Sequence, residues 1–473
     1  MTFSPPAVGS KTPASSKAGR KMYREKAGRS PGNNVYTYHK VFHPLPWQFS
    51  PWRDMSPVLL LTGAAGGGKS VLAGEKVHGY CLRYPGTTAL IMRKVEKSIH
   101  NSVIAMMTNG VIGKDPRVKH MKVLRRFEYE NGSLIVYMGM QDANQRDQIR
   151  SLGQSGGIDI AWLEEATEFE EEDYNEVLAR MRGRAAPWRQ IILSTNPGPP
   201  AHWINLRLII GGEASVYYSK AIDNPWNPED YLQTLQKLTG VQRSRLVLGK
   251  WSIGTGVVFD NWLDEYNAKD SSGKEVGNVV ISGEYIKDGG PVVWAIDDGY
   301  SGEYDRKSRM FTAKSHPRAI MLCQLRADGT VSIFDEDYAV GLLADDHIIK
   351  MLKYSEEKGY ARPHYAVRDR SAASLGGALK KNGIISRFDT ATVEEGVKEM
   401  QQWLAPDENK VRRLVCHPRC RFFRYEMLSY SRDKSGSIIK EHDHGPDGIR
   451  YLCWSLAYGK SPVVDIATFY SEV

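Results

Sequence analysis

The sequence predicts an α/β protein of two domains, and three observations carry the prediction. The stretch Gly63-Ala64-Ala65-Gly66-Gly67-Gly68-Lys69-Ser70 directly follows the apolar run Val58-Leu59-Leu60-Leu61. A buried strand entering a glycine-rich loop and then a helix is how a parallel sheet cradles phosphate. Apolar runs ending on polar or acidic residues recur as far as residue 197 and again from residue 292, the alternation expected where helices separate strands. The 473 residues also exceed the roughly 250–300 at which a single core stops growing.

Each loop position has a chemical reason. Gly63, Gly66, Gly67 and Gly68 let successive backbone N–H groups close on a phosphate without Cβ clashes. Lys69 reaches the β- and γ-phosphates, the Ser70 hydroxyl is a magnesium ligand, and the following helix turns its positive end toward the anion. The stretch fills every fixed position of G-x-x-x-x-G-K-[ST], so a nucleoside triphosphate, ATP with Mg²⁺, is the expected ligand.

The next strands read as Thr88–Met92, Leu134–Met138, Ile158–Leu163 and Gln190–Pro197, and ligands of such sheets bind at carboxyl ends of strands. Glu164 and Glu165 end the third of these. Glu164 is assigned to magnesium and Glu165 to polarising the attacking water. The acids that follow, from Glu168 to Asp173, equally suit a solvated helix start. Asn196 at the next strand tip is placed to sense the γ-phosphate, although a turn before Pro197-Gly198-Pro199-Pro200 explains it as well.

Composition bounds the rest. With 41% apolar and 25% charged residues, the chain reads as ordinary globular protein. It has no run of about 18 apolar residues and no apolar core of a signal peptide. Five cysteines, an odd number, argue for a reducing compartment over a disulfide framework, hence a cytoplasmic protein. Residues 1–33 hold seven basic groups against Glu25 and so carry six of the eight net positive charges. This Ser-, Pro- and Gly-rich arm is expected to be disordered, serving either to hold DNA phosphates or simply to solubilise.

With His43-Pro44-Leu45-Pro46-Trp47-Gln48 ahead of the loop, and Leu90-Ile91-Met92-Arg93-Lys94, Trp162-Leu163-Glu164-Glu165-Ala166-Thr167 and Leu193-Ser194-Thr195-Asn196-Pro197 after it, the chain resembles the large subunit of the viral (tailed-phage) DNA-packaging terminase. That family commonly has Asp before the catalytic Glu; Glu164 is a longer acid that still reaches magnesium. The resemblance implies that Gln48 contacts adenine and that Ser194–Asn196 couple hydrolysis to movement. It also implies an arginine from a neighbouring subunit at the transferring phosphoryl, for which Arg150 is preferred to Arg146.

The resemblance implies a hinge between motor and second domain at Leu248–Ser252 and Gly256–Phe259, and the glycines from Asp260 to Gly290 read as a linker or loose subdomain. The second domain opens on Val292–Ile296, a strand ending in Asp297-Asp298-Gly299, followed by Ala319–Cys323 and Val331–Phe334. This order resembles an RNase H-like fold whose first three strands form a meander. Asp369, after His364–Arg368, and Asp447 stand at further element ends. Three carboxylates from separate elements can hold two Mg²⁺ or Mn²⁺ ions for phosphodiester cleavage. On spacing alone such acids are surface groups; the resemblance makes Asp297, Asp369 and Asp447 the nuclease triad, with Asp443 a fourth candidate. His442 and His444 either ligate or merely flank. Cys416-His417-x-x-Cys420 lacks the second pair of a zinc ribbon. Arg412, Arg413, Arg419, Arg421 and Arg424, interleaved with Phe422, Phe423 and Tyr425, read either as a DNA track or as a solvated face.

The resulting division is a basic arm (1–33), a P-loop ATPase motor (34–252), a hinge (253–290), an RNase H-like nuclease (291–460) and a tail (461–473). The resemblance implies ATP-driven packaging of double-stranded DNA into a procapsid, cutting of concatemers, a small DNA-recognising subunit, a portal protein and a ring commonly of five motors. It places the protein in the host cytoplasm and transiently at the portal vertex, with no membrane role. A P-loop helicase or repair translocase with an appended nuclease, and a non-cutting ATP-switched assembly adaptor, are the alternatives.

Overall fold

The computed structural model describes residues 42–141, 149, 157–253, 256–265, 275–306, 308–408, 411–433 and 435–459, with the backbone of two short paired strands, Gly28–Arg29 and Tyr36–Thr37. The rest of the basic arm, the tail from residue 460, and both Arg146 and Arg150 lie outside the described residues.

The first sheet has eight strands: β1 (Val58–Gly63), β2 (Thr88–Arg93), β3 (Val118–Met121), β4 (Arg126–Tyr129), β5 (Leu134–Gly139), β6 (Ile160–Glu164), β7 (Gln190–Ser194) and β8 (Ser215–Ser219). Their order is β8-β1-β7-β6-β2-β5-β4-β3. All neighbours are parallel except in the β5-β4-β3 meander at one edge. Side chains alternate by strand geometry, and both faces are covered. Leu59, Leu61, Ile91 and Trp162 meet Leu72, Val77 and Tyr80 of α1 (Lys69–Arg83). Leu60, Leu90, Leu163 and Leu193 face the other way, toward Tyr174 and Val177 of α2 (Glu171–Leu178). Because β7 lies between β1 and β6, its tip falls between the glycine-rich loop and the Glu164 strand end.

The second sheet has six strands: β9 (Val292–Asp297), β10 (Arg318–Leu325), β11 (Val331–Ala339), β12 (Tyr365–Arg368), β13 (Ser386–Phe388) and β14 (Leu414–Cys416), in the order β13-β12-β9-β10-β11-β14. Strands β9, β10 and β11 form the expected antiparallel meander, and β12 and β13 add in parallel on the free side of β9. Ile348 and Met351 of α3 (Ala344–Lys358) and Leu375 and Leu379 of α4 (Ala373–Lys381) cover Trp294, Ile296 and Leu322. The opposite face, with Val293, Ala295 and Met321, packs under α5 (Val393–Leu404), α6 (Arg421–Ser429) and α7 (His444–Tyr458).

Several features depart from the sequence reading. The β3-β4 hairpin and β8 were not expected; both are short, and β3 alternates intermediate and exposed positions, so neither gives a strong apolar run. The segment expected as a linker is partly core. Phe259, Trp262 and Val279 are buried in the second domain's core, and the Asn278 side chain donates to the Leu414 carbonyl and accepts the Leu263 N–H. The arginine stretch does not form one exposed track. Arg412 donates to the backbone carbonyls of Val276, Asn261 and Leu404, and Arg424 is buried against Asp264. Helical period explains the split: Phe423 and Met427 must face the core, which turns Arg424 inward beside them.

Candidate functional site

The carboxyl ends of β1, β6 and β7 frame a cleft of about 380 Å³, lined by residues 65–71, Glu164, Glu165, Thr195 and Asn196. Two glycines make the loop possible. A Cβ on Gly63, whose φ is +119°, would fall 2.3 Å from the Ser219 carbonyl oxygen. Gly68 caps α1 in the left-handed region at φ +83°, where other residues are strained. Loop carbonyls are pinned from outside: Trp47 Nε1 donates to Gly67 O and Gln48 Nε2 to Gly68 O, both at 3.0 Å. Asn224 and Asn227 donate to Gly66 O at 2.8 and 3.0 Å. Since C=O and N–H point oppositely across a trans peptide, these anchors turn the following N–H groups away from the anchoring side chains. The Gln48 carbonyl oxygen is also engaged, accepting the Leu45 N–H at 2.9 Å. One of its two amide N–H donors is thus committed to the loop and its oxygen to the Leu45 N–H.

Lys69 Nζ donates to Ala64 O at 2.6 Å, Gly63 O at 3.2 Å and Asn196 Oδ1 at 3.0 Å. Burial lowers its ammonium pKa to about 8, with Glu164 and Glu165 pulling the other way. Ser70 Oγ donates to Glu164 Oε1 at 2.6 Å, and Ser194 Oγ donates to Glu164 Oε2 while accepting Trp162 Nε1 at 2.6 Å. Burial raises the Glu164 carboxyl pKa, opposed by those two hydroxyls. Glu165 is a non-glycine residue at φ +53°, a strained conformation of the kind that collects at functional sites. Its pKa is also raised by burial, against Arg93, whose guanidinium stands 3.9 Å from Glu165 Oε1. Arg93 stands in one of the resemblance motifs with no role assigned to it, and Asn224 and Asn227 escaped the sequence reading. Arg93 stands at the tip of β2, a position that could have flagged it, whereas the two asparagines come from a turn remote in sequence. The serine–glutamate oxygen pair suits magnesium by donor chemistry.

In the second domain the β9-β12-β13 register pairs Ile296 with Arg368 and Arg368 with Phe388. Asp297, Asp369 and Asp389 therefore follow one another across three parallel strand ends. Asp389 was missed, because β13 is three residues long and gives no apolar run. Asp447 stands in the first turn of α7. Asp297 Oδ2 meets His444 Nδ1 at 3.0 Å, and Oδ1 accepts the Tyr451 hydroxyl at 3.1 Å. His444 Nε2 faces the Ser315 carbonyl at 3.0 Å, so both ring nitrogens meet acceptors and the ring is held as an imidazolium. Burial opposes this charge, yet Asp297 and Glu426 lift the His444 pKa to about 9. Burial raises the Asp297 pKa, whereas Asp447, despite burial, is held low by Arg450 and Lys440. Lys440 Nζ lies 2.8 Å from Asp447 Oδ2 and 3.1 Å from Asp443 Oδ2. Asp369 is half-exposed, and its Oδ1 accepts the Ser371 N–H at 2.6 Å.

The neighbouring candidates separate from the site. Asp298 is paired with Arg318 at 2.6 Å, and His442 packs edge-on against Tyr425. Cys416 and Cys420 are buried free thiols donating to the His417 and Ile333 carbonyls. The carboxylate oxygens match the donor chemistry of Mg²⁺ or Mn²⁺, and three cationic side chains, Lys440, Arg450 and His444, already sit on them. As they stand, no group of three or more His, Cys, Asp or Glu among the described residues could hold a metal ion.

A strand, phosphate loop and helix on this strand order, with a Glu-tipped strand across the cleft, define a P-loop NTPase domain. The meander with parallel strands added beside its first strand defines an RNase H-like domain. Residues 57–246 match the family model described as phage terminase large subunit, which bears out the resemblance read from the motifs. The PBSX phage terminase large subunit of Bacillus subtilis (strain 168) is 24% identical over 201 residues, 38% of this chain and 45% of that relative. The chain thus matches less than half the length of that relative. Among solved structures, the large terminase of a thermophilic bacteriophage aligns at 18% identity and TM-score 0.39, over 88% of this chain and 98% of that one. The P22 large terminase nuclease domain aligns at 16% identity and TM-score 0.27, over 36% and 82%. No helix among the described residues is long and apolar enough to cross a membrane.

Proposed function

We propose that the chain is the motor and nuclease of a viral genome-packaging machine, hydrolysing ATP to drive double-stranded DNA into a procapsid and cutting concatemers. The observation that carries the motor is the meeting of Lys69 with Asn196 and of Ser70 with Glu164, which joins loop and strand tips in one cleft. The loop N–H groups and Lys69 bind the phosphates. Ser70 and Glu164 would hold Mg²⁺, which neutralises charge on the β- and γ-oxygens. Glu165 orients the attacking water, Asn196 links the γ-phosphate position to β7, and Arg150 of a neighbouring subunit completes the charge balance. In the second domain Asp297, Asp369 and Asp447 would hold Mg²⁺ or Mn²⁺, whose chemistry is to activate water and stabilise the leaving oxygen. Lys440 must first withdraw from Asp447 Oδ2. The implied partners are DNA, a portal protein, a small terminase subunit and further copies of this chain in a ring.

Two variants test the division of labour. Lys69→Ala should abolish ATP hydrolysis and leave Mn²⁺-dependent plasmid cleavage measurable; Asp297→Ala should do the reverse. Equal loss of both activities in folded Lys69→Ala protein, or wild-type cleavage by Asp297→Ala, would overturn the assignment.

A further inference from the structure

Arg450 is enclosed, with its side chain 4% exposed, and it reaches two acids at once. Nε donates to Asp447 Oδ1 at 3.2 Å and Nη1 to Asp389 Oδ2 at 3.3 Å. Asp389 is itself tied down, its Oδ1 accepting the Ala391 N–H at 3.1 Å. Asp447 Oδ1 also accepts the Tyr430 hydroxyl at 2.7 Å. That oxygen is thus engaged twice on the protein side, while Oδ2 faces Lys440, whose side chain is 56% exposed.

The neighbouring helix contributes an absence. A Cβ on Gly396 of α5 would come within 2.7 Å of Arg450 Cγ and 3.0 Å of Cδ. A glycine inside a helix is otherwise unfavourable; here it leaves the space through which the arginine stem passes. A planar guanidinium fixed at two carboxylates orients its partners in a way that a flexible ammonium does not.

We propose, resting on the nuclease reading above, that Arg450 is a positioning residue of the acidic site. Held by Asp389 and by the space at Gly396, it clamps Asp447 Oδ1 against Tyr430 and so presents Oδ2 as the oxygen that takes a divalent cation. Arg450 itself touches neither cation nor DNA.

The test uses the full chain and Mn²⁺ alone as the probe, with binding measured by calorimetry, plasmid cleavage titrated against Mn²⁺, and thermal melting. Arg450→Lys keeps the charge and loses the fork; Gly396→Ala keeps every charged group and pushes only on the arginine stem. Arg450→Lys should weaken Mn²⁺ binding about 10–100-fold, the usual effect of removing a group that orients a metal ligand. Its cleavage should recover at saturating Mn²⁺. Gly396→Ala should shift binding in the same direction by less. Unchanged Mn²⁺ binding and unchanged Mn²⁺ demand in both variants, with only a lower melting temperature, would make Arg450 purely structural and overturn the proposal. Should Arg450→Lys not fold, Gly396→Ala decides by the same criterion. Wild-type protein that neither binds Mn²⁺ nor cuts would instead overturn the nuclease reading, and the proposal with it.

Discussion

At the scale of single residues, Glu165 combines two unusual properties. Its backbone is left-handed and its carboxyl is pushed up by burial beside Glu168. A residue held in a strained conformation at a strand tip is fixed in direction, which is what aiming a water requires. Glu165→Gln keeps the size and removes the base, so ATP hydrolysis should fall about 10²–10⁴-fold while binding of a fluorescent ATP analogue persists. Loss of nucleotide binding in the same variant would place Glu165 in the binding machinery instead. Lys69, Ser70, Glu164 and Asn196 were legible because each stands in a local pattern with a chemical reason. Asp389 was not, since it acquires meaning only from the strand beside it, and Arg93 lies in a resemblance motif while its meeting with Glu165 is a property of the fold. Gln48 illustrates a third case: its position was legible, but its amide bonds to Leu45 and Gly68 are properties of the folded loop.

At the scale of elements, the long buried strands announced themselves and the short ones did not. Six consecutive buried residues in β1 and eight in β10 produce apolar runs that no loop tolerates. The three residues of β13, Ser386-Arg387-Phe388, produce none, so the register that aligns Asp297, Asp369 and Asp389 was invisible. The helix α6 gives an element-scale prediction. Glu336 accepts the Phe422 and Phe423 N–H groups at 2.7 and 2.9 Å and so caps the helix start. Burial nevertheless pushes its pKa to about 8. The folded state therefore binds this proton more tightly than the unfolded chain. Its contribution to stability is full below the ordinary carboxyl pKa and is lost as pH rises toward and through about 8. Glu426, raised to about 7, acts in the same direction. The melting temperature should fall between about pH 5 and 8 and level off above, and the fall should be less steep in Glu336→Gln; identical slopes for the two proteins would exclude Glu336 as the source.

At the scale of the whole molecule, a buried ion pair of the second domain stands beside an apolar contact between the two domains. Leu206 and Ile210 of the first domain meet Met310 and Tyr425 of the second. Beside them Arg424, 1% exposed, donates to Asp264 Oδ1 at 2.8 and 3.0 Å and to the Ile210 carbonyl at 3.5 Å. Asp264 lies in the segment that composition assigned to a linker, and its Oδ2 has no hydrogen-bond partner among the described residues. Glycine content made that segment look loose, because it says nothing about which of its few large side chains are buried. A buried charge left alone is far worse than a buried pair, typically by about 3–5 kcal/mol, whereas replacing both partners with apolar groups is often neutral. Arg424→Met should therefore lower stability by roughly that amount. Arg424→Met combined with Asp264→Leu should recover most of the loss in melting temperature. A double variant as unstable as the single one would mean that the bonds from Arg424 to the Pro418 and Ile210 carbonyls matter more than charge balance.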